Sequence, residues 1–265
     1  MSLAPSPAPA AALLRLRPID MDHPWRWLAA GWRDLWATPA VGLGFGFAFA
    51  AIGAGLTWVV LDLEIYYLTF PLMAGFLLIG PVAAAGLYEV SRRRERGEPV
   101  SLGLALRAFG RNPVQLGLIG VVLLLINIAW VRFASLLFML FFSDNPPPVD
   151  PAGFLAVVLR VESIPFLVVG CGIGAVLAAV VFGICAVSIP LLVDRPEANV
   201  VIAIAASWQA VMRNRGPMAL WAWLIVLFIG GGLATGFIGL VVTLPLIGHA
   251  TWAAYKDSID WSSEP

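Results

Sequence analysis

Few residues in this 265-residue chain could do chemistry. Of the two histidines, His249 lies in the apolar run Leu246-Ile-Gly-His-Ala-Thr-Trp252, about 10 Å inside Lys256 on a helix. An ionisable group at lipid depth is a functional candidate, here a proton-relay member or a single ligand to a haem or metal. The plainer alternative is an imidazole hydrogen-bonded to a neighbouring carbonyl. His23 precedes the apolar segments, so bis-histidine haem ligation is not expected. Cys171 and Cys185 share one apolar segment and stand about 21 Å apart along a helix, beyond disulfide reach. No Cys, His, Met or carboxylate cluster has the spacing of a zinc or copper site. No P-loop, dinucleotide fingerprint, nucleophile elbow or zincin motif occurs, and Gly170-Cys-Gly-Ile-Gly174 lacks the preceding strand of a phosphate loop. The expectation is no catalytic residue, no cofactor and no metal.

Asn127 and Arg132 are the other polar candidates within the apolar segments. Arg132 stands about 28 Å from Pro113 along a helix, where it would snorkel to headgroups or pair with Asp62, Glu64 or Glu162. A sharper reading makes it a substrate-binding arginine in a small-solute or lipid transporter or channel, with Asn127 and His249 lining the same pathway between helical hairpins. Glu89 and Asp194 end apolar segments beside arginines and read as interfacial salt-bridge partners.

The elements that position these residues follow from composition. The apolar fraction is 60%, charged residues are 12%, and mean hydropathy is +0.90. A water-soluble domain carries about 25% charged residues. Soluble enzymes, nucleic-acid binders and disulfide scaffolds are therefore excluded, and the class is a polytopic all-α membrane bundle. Equal basic and acidic counts, 16 each, argue against a polyanionic partner such as nucleic acid; membrane lipids are the expected surroundings.

A spanning helix needs about 20 apolar residues. Such stretches cover about 39–61, 65–90, 114–134 and 166–193. Met218 to Tyr255 would be about 57 Å as one helix, nearly twice the hydrocarbon thickness, so it must fold back. Gly230-Gly231-Gly232 with Thr235-Gly236 marks the expected turn, giving spans at 218–234 and 237–255 and six in all. Residues 1–22 are expected to be a flexible tail without a cleavable signal peptide, 23–257 the membrane domain, and 258–265 a second tail. Phe133 to Glu162 is expected to form a cap on the outer surface.

Of the basic residues, only Arg132 and Arg160 fall outside the N-terminal segment, the second-to-third and fourth-to-fifth connections and the C-terminus. The positive-inside rule makes that face cytoplasmic and puts both termini there. Trp36, Trp221, Trp223 and Trp252 are placed at the inner boundary and Trp58 and Trp130 at the outer one.

Before the first, third and fifth spans come similar segments, each closed by a proline: Ala30-Gly-Trp-Arg-Asp-Leu-Trp-Ala-Thr-Pro39, Leu104-Ala-Leu-Arg-Ala-Phe-Gly-Arg-Asn-Pro113 and Ser207-Trp-Gln-Ala-Val-Met-Arg-Asn-Arg-Gly-Pro217. Pro81, Pro190 and Pro245 recur in the even spans. The expected unit is an interfacial helix followed by a helical hairpin, repeated three times in parallel. In the first segment Trp25, Leu28, Trp32, Leu35 and Trp36 share one face, expected to dip into lipid. Small residues four apart, Gly42 and Gly46, Gly170 and Gly174, and Gly232 and Gly236, are read as helix-packing faces.

These features resemble a bacterial family of predicted integral membrane proteins, the domain of unknown function 2189, over roughly Trp25 to Ile259. The likeness rests on the Trp/Arg-rich entry before Pro39, the run Tyr88 to Arg94, and Leu244-Pro-Leu-Ile-Gly-His-Ala-Thr-Trp-Ala-Ala-Tyr-Lys-Asp257. Members are sometimes labelled as cytochrome c oxidase subunits. The resemblance implies a bacterial inner-membrane location and a respiratory complex as context. A haem-copper catalytic subunit needs a set of intramembrane histidines, so the role implied is accessory or assembly, beside another integral membrane protein.

Overall fold

The computed structural model describes residues 15–64, 69–144, 148 and 150–260. Its elements are helices: α1 His23–Ala37, α2 Pro39–Asp62, α3 Thr69–Ala83, α4 Ala85–Glu95, α5 Leu102–Leu106, α6 Pro113–Phe142, α7 Pro151–Val158, α8 Ile164–Asp194, α9 Val200–Arg213, α10 Arg215–Ala234 and α11 Leu240–Ser258. The exception is a two-residue antiparallel pairing of β1 Arg15–Leu16 with β2 Ile259–Asp260. Five helical stretches are long and apolar enough to cross a membrane: Pro39–Asp62, Leu72–Glu95, Pro113–Phe142, Val161–Asp194 and Arg215–Ala234.

The helix expected as the sixth span is α11, which is not among those five. It carries His249, Lys256 and Asp257, and 13 of its 19 residues are buried. It packs on α1, α2, α4, α8 and α10. Protein, not lipid, surrounds it, so its sequence need not be uniformly apolar.

A short helix precedes each of the long helices α2, α6 and α10 in the element order. The residue at each junction into α2, α6 and α10 adopts the same uncommon backbone: Thr38 (φ −136°, ψ 53°), Asn112 (φ −143°, ψ 62°) and Asn214 (φ −119°, ψ 45°). Proline then opens α2 and α6, where its missing N–H costs no helical bond. Two junction residues also act as pins. Asn112 Nδ2 donates to Ala198 O, and Asn214 Oδ1 accepts from Ile19 N while its Nδ2 donates to Arg17 O.

The structure revises several expectations. Residues 1–14 and 261–265 lie outside the described residues. Residues 15–22 and 258–260 are tied down, however, because Asn214 and the β1–β2 pairing satisfy their backbone groups and Ile19 and Ile259 are buried. Helix α6 runs on through Phe142, past the expected end at 134, since no breaker precedes Asn145. The cap is therefore continuous with α6 for its first part; most of Asn145-Pro-Pro-Pro148 lies outside the described residues, and α7 follows. Helix α10 ends at Ala234 and the turn begins at Thr235-Gly236, both as expected, with φ angles of +64° at Gly236 and +71° at Phe237; the revision is that Gly230 to Gly232 remain helical. In lipid a helix must satisfy its own backbone, which outweighs the weak helix propensity of glycine.

The Asn214 pin sets a measurable expectation. Asn214→Ala leaves the buried Ile19 N–H without its acceptor, a loss of about 1–3 kcal/mol. The N-terminal segment should then be cut faster in limited proteolysis, while the spans stay protected.

Candidate functional site

The N-terminal ends of α2, α6 and α10 meet the C-terminal ends of α4, α8 and α11 at one end of the bundle, where the ionisable groups form a buried layer. Glu89 on α4 is 1% exposed. Arg92 grips it with two hydrogen bonds, from Nε to Oε2 and from Nη2 to Oε1, both 2.7 Å. Arg93 Nε adds a third at 2.7 Å, and Arg111 stands 3.9 Å away. Arg92 is itself only 3% exposed. On α8, Asp194 accepts from Tyr255 Oη at 2.9 Å and faces Arg96 at 3.4 Å and Lys256 at 3.6 Å. Arg111 Nε caps the end of α8 by donating to Val193 O. Glu95 accepts from Trp252 Nε1, and Asp257 from Trp27 Nε1, both at 2.8 Å. Glu89 and Asp194 are thus salt-bridge partners, as their neighbours indicated, but they lie inside the bundle.

Beside this ladder, Asp34 on α1, Ser91 on α4 and His249 on α11 form a chain. Ser91 Oγ lies 2.6 Å from Asp34 Oδ2 and 2.8 Å from His249 Nδ1. Arg94 pairs with Asp34. His249 is 1% exposed, and its Nε2 has no hydrogen-bond partner among the described residues.

The sequence candidates separate in space. Asn127 is half-buried on α6 near Gly75 of α3, with its Oδ1 unpartnered among the described residues. Arg132 is exposed and makes no ion pair with Asp62, Glu64 or Glu162 among the described residues. No hydrogen bond or ion pair among the described residues joins either of them to the Asp34–Ser91–His249 chain. His23 is held by Asp20 at 2.7 Å, on the near side of α1. Among the described residues no group of three His, Cys, Asp or Glu could hold a metal ion.

The glycines divide. Gly42 and Gly46 lie against α11: a Cβ at Gly42 would sit 3.6 Å from Pro245 Cβ, and one at Gly46 would strike Val241. Gly170 and Gly174 face Leu137 and Trp130 of α6, and Gly232 faces Thr243 and Leu240 of α11. Gly236 packs against nothing within 4 Å and serves the turn, where its positive φ is needed.

Helix α1 is three-sided. Pro24, Trp27, Gly31 and Leu35 are buried against the bundle, while Trp25, Trp32 and Trp36 are exposed on an adjacent face beside exposed Arg26 and Arg33. Leu35 therefore leaves the face expected to dip into lipid. Asp34, seven residues after Trp27, turns towards Ser91. Trp221 and Trp252 are core residues, not boundary anchors: Trp27 meets Trp221 edge-on at 5.6 Å and Trp252 packs on Tyr255. Reading the sequence for apolar faces missed Asp34 and Ser91. The heptad spacing of Asp34 from Trp27 was the signal available.

Apolar spanning helices closed at one end by buried ion pairs define a multi-pass integral membrane protein. Residues 68–194 match the family model described as predicted integral membrane protein (DUF2189). That stretch holds α4 and the α6–α8 pair, hence Glu89, Ser91, Arg92 and Asp194. Of the three segments that carry the resemblance, it includes Tyr88 to Arg94 and excludes the entry before Pro39 and Leu244 to Asp257. No curated protein and no solved structure matches the chain.

Proposed function

We propose that this chain is a non-catalytic interaction protein of the bacterial inner membrane, an accessory or assembly partner for another integral membrane protein. A respiratory complex is the context taken from the family resemblance. One observation carries the reading. Helices α6 and α8 have 30 and 31 residues, about 45 Å each, and both are rooted in the basic end. The hydrocarbon is about 30 Å thick, and tilt alone would have to reach about 48° to absorb the excess, outside the usual range of about 0–40°. The far ends therefore reach past the hydrocarbon into the headgroup layer. Yet α6 there exposes Leu136, Met139 and Leu140, with Leu140 76% exposed, and the segment leading into α8 exposes Leu159 and Val161. Phe138, Phe141, Phe142, Phe154 and Phe166 stack beneath them as a stiff aromatic base. Large apolar side chains in such a position mark a surface that another protein covers.

The test is purification of the tagged chain from native membranes in mild detergent, with a photo-crosslinking residue at Leu140. A membrane partner should be captured at that position and lost with Leu136→Glu/Met139→Glu, while the variant elutes as a folded protein. A chain that always runs alone overturns the reading.

Orientation belongs to the same proposal, with the arginine-rich end and both termini in the cytoplasm. In a Cys171→Ser background, a cysteine at Gly103 in α5 should react with an impermeant maleimide only from the cytoplasmic side. One at Asp62, the far end of α2, should react only from outside. Gly103 has open space around its Cα and Asp62 is exposed, so neither substitution disturbs packing.

A further inference from the structure

Ser91 has one hydroxyl proton, and that fixes the state of its neighbours. Asp34 is paired with Arg94 and is therefore an ionised carboxylate, which only accepts. The Ser91 proton goes to Asp34 Oδ2, so Ser91 Oγ is left to accept from His249 Nδ1. A neutral imidazole carries one N–H. With that proton on Nδ1, Nε2 presents a bare lone pair. It is buried and meets no donor among the described residues; it looks towards Gly42 of α2, where a Cβ would lie 3.6 Å from it and only 2.7 Å from Leu35 Cδ1, which fills that space. A carboxylate that fixes the tautomer of a histidine through its other nitrogen is a recurrent way of presenting a basic lone pair.

We propose that His249 Nε2 is a buried proton-accepting site wired through Ser91 to Asp34. The donor is a hydronium ion: one of its O–H bonds breaks as Nε2–H forms, and a neutral water molecule is left. The Nδ1 proton then passes to Ser91 Oγ while the Ser91 hydroxyl proton passes to Asp34 Oδ2. The ring is neutral again with its proton on Nε2, and Asp34, whose side chain is 26% exposed, releases the proton to water at the basic end. The charged groups facing the ring are Asp34 from α1 and Arg94 from α4. Helix α2 brings Gly42, while Asp194 of α8 and Glu95 of α4 are engaged by Tyr255, Trp252 and Lys256 further along α11.

The experiment uses the full chain in lipid nanodiscs with ¹⁵N-histidine and His23→Gln, so that His249 gives the only imidazole signals. Long-range proton–nitrogen correlation should show the Nδ1–H form at neutral pH. Asp34→Leu frees the Ser91 proton to donate to Nδ1 and should convert the ring to the Nε2–H form, as should Ser91→Ala. Ser91→Thr keeps the hydroxyl and should keep the wild-type pattern. Acidification should add a second N–H, on Nε2, while the chain stays folded. An Nε2–H ring in the unsubstituted site, a tautomer indifferent to Asp34→Leu, or a ring that stays neutral until unfolding would each overturn the proposal.

Discussion

Glu89→Ala should lower the stability of the purified protein by about 3–5 kcal/mol, the largest loss expected from any single substitution in the polar layer. The reason is asymmetry. Glu89 receives three charge-assisted hydrogen bonds from Arg92 and Arg93, and removing it leaves the guanidinium of Arg92 buried without its main counter-charge. The pair itself need not be strongly stabilising, because burying both ions cost hydration first. Replacing both partners, Glu89→Leu with Arg92→Met, should therefore recover much of the loss. Urea or thermal unfolding in one detergent, followed by α-helical circular dichroism, measures the single and double variants. If Glu89→Ala proves no worse than the double variant, the layer is a solvated surface, not an enclosed one.

The second large effect is expected at Gly31. A Cβ there would lie 2.6 Å from Leu246 O and 2.7 Å from Ala250 N, both backbone atoms of α11 that cannot rotate away. Alanine gains about 1 kcal/mol in helix propensity over glycine, so a lone surface helix would be stabilised. Here overpacking of about 1–3 kcal/mol opposes the gain, and leucine cannot be accommodated without lifting α1 off α11. Gly31→Leu should separate Asp34 from Ser91 and lower the unfolding midpoint well below that of Gly31→Ala. Gly44→Leu is the control. Nothing lies within 4 Å of a Cβ at Gly44, so the side chain enters lipid and stability should hardly change. Equal effects at Gly31 and Gly44 would show that α1 does not dock on α11.

The parts of the fold legible in the sequence were those written in contrasts between lipid and water. Pro39, Pro113 and the arginines that precede them mark where the chain enters apolar surroundings, and the helices begin there. What could not be read was which apolar surface faces protein. Lipid tails are as apolar as leucine, so Leu123, buried in α6, and Leu125, exposed two residues on, look alike in any hydropathy scan. The same limit explains Trp252, whose ring belongs equally well at a headgroup boundary or beneath Tyr255. It also explains α11, where the polar residues that lower hydropathy are the ones its neighbours satisfy: Thr251 by Ile247 O, Tyr255 by Asp194, and His249 by Ser91. Of the candidate site, His249 stood out as an ionisable group in an apolar run. Asp34 and Ser91 did not, because their partners lie 158 and 57 positions away in sequence, on other helices.

Hydrogen exchange of the full chain in lipid nanodiscs, read by mass spectrometry along the sequence, tests the core of this account most directly. Amides of Leu244 to Tyr255 should be among the last to exchange, together with those of Leu87 to Arg93, and Glu89→Ala should release both segments as one unit. If Leu244 to Tyr255 instead exchange as fast as exposed α5, or stay protected when Glu89 is removed, α11 is not the enclosed centre that the polar layer holds in place.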